Sequence, residues 1–218
     1  MAVPDCPKIF HIVHVDRLAS IVDDGFLRCD EMIAQSPKAG TTIGMGQIKR
    51  RRLETRLPSH PGLSVGQCVP FYFCPRSVML YVIHRGNADG LDYIGGQGPI
   101  VHLVADLKAS VKWASCNSCR WAFTTSNAGS KYFADHSDLA LLNEINWEAV
   151  RSTIWSGNGV APSIKEGKQA EFLVEGRFPW NLVERIGVYS RETYNQAADV
   201  LNSRSLHPPI HIMPEWYY

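Results

Sequence analysis

Nothing in this 218-residue chain is built to cross a bilayer. The uncharged stretch at residues 61–75 is interrupted by Gly and Pro and falls short of the roughly 20 apolar residues a spanning helix needs. The first residues, Met1 to Pro7, have neither a basic nor an apolar leader segment, so a cytoplasmic location is expected. Several familiar signatures are also missing: GxxxxGK[ST], GxGxxG, HExxH and GxSxG. Their absence removes the common nucleotide-cradle, dinucleotide-fold, zinc-protease and serine-hydrolase readings. Gly95-Gly96-Gln97-Gly98 is not followed by a helical pattern and reads as a flexible turn. Only one CxxC exists, Cys116-Asn117-Ser118-Cys119, with no second CxxC or tight Cys/His pair to complete a zinc site. No thioredoxin-like unit surrounds it, and Cys6, Cys29, Cys68 and Cys74 sit among apolar neighbours as small hydrophobes. No metal is expected.

Acids are scarce in two stretches. From Gln35 to His60 six bases (Lys38, Lys49, Arg50, Arg51, Arg52, Arg56) face Glu54 alone. From Leu107 to Ala134 there are four bases and no acid, with Trp113 and Trp121 among them. From Asp135 to Glu175 seven acids outnumber three bases, so the net charge of +1 hides a basic half and an acidic half. Basic stripes carrying aromatics suit a polyanion groove, although a solvated Lys/Arg face has the same composition.

Hydrophobic content of 45% and charged content of 20% are ordinary for a globular chain. Short strand and helix patterns alternate without an internal repeat or linker, which predicts one α+β domain over residues 1–218. Strands are expected at Ile9–His14, Cys68–Cys74, Ile100–Val104, Arg120–Thr124, Glu171–Glu175, Ile186–Tyr189 and Ile210–Met213. Helices are expected from Asp16 to Val22, with Gly25 as a left-handed cap, after Asp106, over Asp138–Trp155 and over Arg191–Asn202. The apolar run Met79–Ile83 fits either state. Long loops remain at about residues 35–66, 84–98 and 156–168.

The most informative run is Lys168-Gln169-Ala170-Glu171-Phe172-Leu173-Val174. Alternation puts Glu171 on the face opposite Ala170, Phe172 and Val174, where a loop meets a sheet. A solvent-facing Glu on an edge strand would show the same pattern.

Taken together, the chain resembles the DarT-type ADP-ribosyltransferase toxins. The shared elements are Ile9 to His14, Ile48 to Arg52, Val69 to Phe73, Arg76 to Tyr81, Phe123-Thr124, Gln169 to Val174 and the final Trp216-Tyr217-Tyr218. Val78 stands where the family pattern has Pro, and Thr125-Ser126 replaces an Asp-containing turn. The resemblance implies an ADP-ribosyltransferase-like fold, a central split β-sheet flanked by helices with long active-site loops. It also implies transfer of ADP-ribose from NAD, as co-substrate, to thymidine in single-stranded DNA, and a macrodomain antitoxin as partner. Other readings are another target (a different base, RNA or protein), NAD hydrolysis, or a non-catalytic single-strand-binding module.

By the same resemblance Glu171 and Arg52 are catalytic. His11, Ile12, Val13, Ser20, Arg28, Arg52 and Tyr72 would hold NAD. Lys49, Arg50 and Arg51 would then meet NAD phosphates or the DNA backbone, and Arg76, Trp121 and Asn127 offer the stacking and edge hydrogen bonds by which DNA bases are read. A carboxylate at Glu171 favours the cationic ribose that forms as nicotinamide leaves. An arginine stays protonated, so Arg52 suits charge stabilisation better than proton abstraction. His11 and Tyr72 have apolar neighbours and would equally suit a core.

Overall fold

The computed structural model describes residues 2–130, 132–202 and 207–218. The chain enters through β1 (Lys8–His14), whose burial alternates in pairs because both its faces are covered. A 3-10 turn, Val15–Arg17, leads into α1 (Leu18–Asp24). Asp16, the first residue of the expected helix, does not cap it. His14 caps the turn, and the Asp16 carboxylate instead accepts from the Thr41 backbone and hydroxyl. Gly25 ends α1 at φ 75°, the left-handed region that favours glycine.

Then come β2 (Phe26–Arg28), α2 (Asp30–Gln35) and α3 (Gly46–Glu54). α3 lies within the segment expected to be a long loop. Its basic composition hides it, since Arg52 is its one buried residue and no apolar stripe marks the helix. β3 (Cys68–Tyr72) stops two residues before the expected end. α4 (Val78–Arg85) resolves the ambiguous apolar run: Ser77 accepts from Leu80 N and so caps a helix. β4 (Ile100–Asp106) runs into α5 (Leu107–Cys116) through the Asp106 cap.

β5 (Trp121–Thr124) and β6 (Asp135–His136) follow. The helix expected over Asp138–Trp155 is broken into a 3-10 turn, Leu139–Glu144, and α6 (Trp147–Arg151). Asp138 and Asn146 each accept a backbone N–H at the two starts, and this capping competes with one continuous helix. α7 (Pro162–Gly167), in another expected loop, precedes β7 (Glu171–Glu175), β8 (Arg177–Pro179) and β9 (Val183–Val188). α8 (Arg191–Leu201) and β10 (Ile210–Ile212) complete the fold.

Eight strands form one sheet in the order β10-β9-β4-β1-β3-β7-β5-β6, and β2 pairs with β8 in a small second sheet. Among the described strands only β10–β9 is parallel. β1 and β4 pair over seven residues, and β3 and β7 over five. Between these halves β1 and β3 meet at a single register pair, Phe10↔Tyr72, so the sheet splits there. Pro70 lies along that split. Lacking an N–H, it is tolerated because β1 diverges beside it, and its carbonyl lies 2.6 Å from His11 Nδ1.

The main core packs Ile9, Val13, Phe71, Phe123, Phe172 and Val174 on one face. Leu173 is fully buried in a second cluster with Leu57, Leu63 and Val65 on the other. β7 is therefore covered on both faces, not on one as alternation alone suggests. No described helix is long and apolar enough to cross a membrane.

Candidate active site

A cleft of about 170 Å³ opens where the sheet splits, floored by β1, β3 and β7 and roofed by α3 and the 41–45 segment. Its centre is an ion pair. Arg52 Nη1 and Nη2 donate to the two Glu171 carboxylate oxygens at 3.0 and 2.8 Å. Both residues are buried, at 8% and 4% exposure, so α3 covers the face on which alternation placed Glu171. Burial alone would push the Arg52 guanidinium down. The charge and hydrogen bonds of Glu171 outweigh it and raise Arg52, which stays a cation.

The backbone of Glu171 is held as firmly as its side chain. Its N–H donates to Thr124 Oγ1 at 3.1 Å, and that hydroxyl donates to Ser126 O at 2.7 Å. Two residues earlier, Gln169 Oε1 accepts from Asn127 Nδ2 at 3.0 Å, while Asn127 Oδ1 accepts from Gly129 N. The 124–129 turn is thus tied to both sides of the residue before Glu171.

Tyr72 is the register partner of Glu171, so the two side chains share a face. Burial, then the Glu171 charge, pushes the phenol well above its ordinary value, and Tyr72 is a neutral hydroxyl. His11 is lowered by burial, only partly offset by its hydrogen bond to Pro70. Since a carbonyl can only accept, Nδ1 carries the proton, and the neutral ring keeps Nε2 as an acceptor.

Of the residues expected to hold a co-substrate, His11, Ile12, Val13, Arg28, Arg52 and Tyr72 line the cleft. Ser20 lies in an adjoining recess that shares His11, Val13 and Arg28 with it. Its hydroxyl donates to Arg17 O. The residues expected to meet DNA are dispersed. Lys49 lines the cleft itself and pairs with Asp30 at 2.9 Å. Arg50 and Arg51 are exposed on α3, and the Arg51 guanidinium approaches Gly129. Asn127 is beside Gln169. Trp121 pairs with Val174, which puts its ring on the face opposite Glu171, 6.1 Å from the Phe172 ring. Arg76 stacks on Tyr218 in a separate cavity. These two are not brought to the cleft.

Two features of the cleft were missed at the level of sequence. Asp30, at the start of α2, reads as a helix-terminal carboxylate, and nothing local shows that it faces Lys49. The 40–42 segment is strapped by Arg17, which donates to Gly40 O, Thr41 O and Thr42 Oγ1. Gly40 (φ 121°) allows this, since an added Cβ would lie 2.5 Å from Arg17 Cγ. Among the described residues no group of three or more His, Cys, Asp or Glu could hold a metal ion. Cys116 and Cys119 are free thiols in the turn closing α5.

Residues 10–218 match the family model described as "DarT: ssDNA thymidine ADP-ribosyltransferase, DarT". A DNA ADP-ribosyl transferase of Thermus sp. (strain 2.9) is 36% identical over 99% of this chain and 98% of its own. The solved Thermus sp. 2.9 DarT in complex with ADP-ribosylated ssDNA superposes with a TM-score of 0.89 at 34% identity, covering 100% of this chain and 99% of that one. The same enzyme in complex with NAD+ gives 0.85 at 33% identity, with both chains fully covered. The chain therefore belongs to the DarT family of single-stranded-DNA thymidine ADP-ribosyltransferases.

Proposed function

We propose that the Arg52–Glu171 pair is the catalytic centre for the reaction of this family, transfer of ADP-ribose from NAD to thymidine in single-stranded DNA. One observation carries the assignment: a buried, bidentate ion pair joins the roof and the floor of the cleft at the split of the sheet. Buried ion pairs stabilise a fold poorly, because desolvation offsets much of their attraction. A buried cation held by a specific charge partner in a cleft marks a candidate functional site.

NAD supplies the ADP-ribosyl group, whose anomeric carbon becomes cationic as nicotinamide leaves. Glu171 faces that developing charge and accepts a ribose hydroxyl, an interaction that strengthens toward the transition state. It is also the group that takes the thymine ring proton. Arg52 keeps the carboxylate in place and, as a permanent cation, favours the deprotonated base without itself acting as a base. The chemistry of the lining fits the co-substrate: cations at Arg28 and Lys49 for the pyrophosphate, a neutral acceptor at His11 Nε2 for a hydroxyl, and a neutral phenol at Tyr72 beside the reacting ring.

Arg50, Arg51 and Asn127 lie along the route by which a strand would reach Glu171, and we assign them to DNA. Trp121 has no part in this assignment. A cytoplasmic enzyme, held in check by a macrodomain antitoxin that removes the modification, completes the reading. Mass spectrometry of single-thymine oligonucleotides incubated with NAD tests it. One ADP-ribosyl group on thymine is expected with the wild type and none with Glu171→Gln. Product only on RNA or protein, or release of free ADP-ribose alone, would overturn the assignment.

A further inference from the structure

A second cavity, about 310 Å³, shares no lining residue with the cleft. It is reached from the same two strands. Four residues beyond Tyr72 comes Arg76, and three before Glu171 comes Lys168, and both line it. Chain reach puts these Cα atoms within about 14 and 11 Å of the Tyr72↔Glu171 pair.

Its charge has one sign. Lys8, Arg76, Arg151 and Lys168 line it, and no carboxylate does. Lys8 is neutralised by Asp106 and Glu184 at 3.1 and 2.8 Å. Lys168 is 3% exposed, and among the described residues its three ammonium N–H groups meet the carbonyls of Val150 and Ser152, at 2.7 and 2.8 Å, and the Cys74 sulfur, none of them a counter-charge. Arg76 has a buried Nε without a hydrogen-bond partner, and its guanidinium stands 4.4 Å from the centre of the Tyr218 ring. Cations withdrawn from water without a counter-charge are costly, and carbonyls or an aromatic face offset only part of that cost. Apart from Ser152 and Thr153, the remaining wall is apolar, with Phe10, Phe73 and Trp147 as its largest members.

An anion carried on a flat apolar body matches both halves of this lining. We infer that the cavity receives a nucleotide flanking the target thymine, its phosphate toward the Arg76 guanidinium with the Lys168 charge behind it, and its base against the Phe10, Phe73 and Trp147 wall. The inference rests on the proposed reading of single-stranded DNA as acceptor. The distance from the Tyr72–Glu171 pair is one that a single strand covers in a few nucleotides.

The test uses the full chain with NAD and oligonucleotides holding one thymine. Each flanking position is replaced in turn by an abasic residue or by a neutral methylphosphonate linkage. At one position the wild type should lose about tenfold or more in kcat/KM from either change, the scale of one lost stacked base. In Arg76→Gln the neutral linkage there should cause no further loss, Arg76→Lys should retain part of the wild-type dependence, and the KM for NAD should not move. Should Arg76→Gln not fold, Arg76→Lys against the wild type reads the same coupling. Losses from variant and linkage that simply multiply, or a wild type indifferent at every position, would overturn the inference. So would competition by a free deoxynucleotide monophosphate with no positional effect. Thymine left unmodified in every wild-type reaction would instead overturn the acceptor assignment itself.

Discussion

Arg52 and Glu171, separated by 119 positions in the chain, are joined by two hydrogen bonds of 3.0 and 2.8 Å in a buried, fork-to-fork geometry. Under the proposed function each residue serves both activity and stability, and the two contributions separate by choice of substitution.

Glu171→Ala removes the carboxylate and leaves a buried guanidinium without its partner. We expect a loss of about 3–5 kcal/mol in stability and a rate at least 10²–10³-fold lower. Glu171→Gln keeps the shape and one acceptor, so it should lose the rate with a smaller loss of stability. Urea midpoints and single-turnover assays on both variants read the two effects apart. Near-wild-type turnover by either variant would refute the role given to the carboxylate.

Under the same assignment Thr124 acts on the reaction through Glu171. Its hydroxyl accepts the Glu171 N–H and donates to Ser126 O. Thr124→Val leaves the buried Glu171 N–H without that partner, at a cost of about 1–3 kcal/mol. The expected kinetic signature is a lower kcat with little change in the KM for NAD, restored in large part by Thr124→Ser. Equal activity in the Val and Ser variants would show that the hydroxyl does not position the carboxylate.

Lys49 and Arg50 are neighbours with different surroundings, one paired with Asp30 inside the cleft and the other exposed. Arg50→Ala should weaken binding of every oligonucleotide alike and reduce the salt slope by about one contact. Lys49→Ala should raise the KM for NAD and leave that slope nearly unchanged. Fluorescence titrations at several salt concentrations, beside NAD kinetics, distinguish them, and identical behaviour would remove Lys49 from the co-substrate site.

His102 is fully buried, its Nε2 donates to Pro75 O, and burial lowers its pKa to about 4 from the ordinary 6.5. The unfolded chain therefore binds this proton as pH falls through 6.5, whereas the folded chain does so only near 4. Stability should fall across that window, by on the order of 3 kcal/mol from this group, and level off below it. His11, also lowered by burial, adds to the same trend. In urea titrations at pH 7 and pH 5 the His102→Gln variant should show a smaller difference between the two midpoints than the wild type. An unchanged difference would reject His102 as the source.

A thymine ring nitrogen is occupied by pairing in a duplex, and unpairing it adds a few kcal/mol. Single-stranded oligonucleotides should react strongly, their annealed forms weakly, and free thymidine poorly for want of flanking phosphates. Comparable rates on single and paired strands would contradict this.

Sequence by itself determined the strand carrying Glu171, the caps at Asp106 and Gly25, and the order of motifs that marks the family. Those signals are local: alternation, a capping side chain and a left-handed glycine each act over a few residues. The helix holding Arg52 escaped, because hydrophobic periodicity finds helices by their apolar faces and this one buries an arginine. The split of the sheet was implied by the family resemblance, but its place was not, since that depends on β1 and β3 touching at Phe10↔Tyr72 alone. Tertiary structure decided which basic residues share the cleft. It brought in Asp30 and Lys49, turned Trp121 to the opposite face and lodged Arg76 in another cavity. Charge counted along a chain cannot report those outcomes, because a side chain's partner is set by packing between elements distant in sequence.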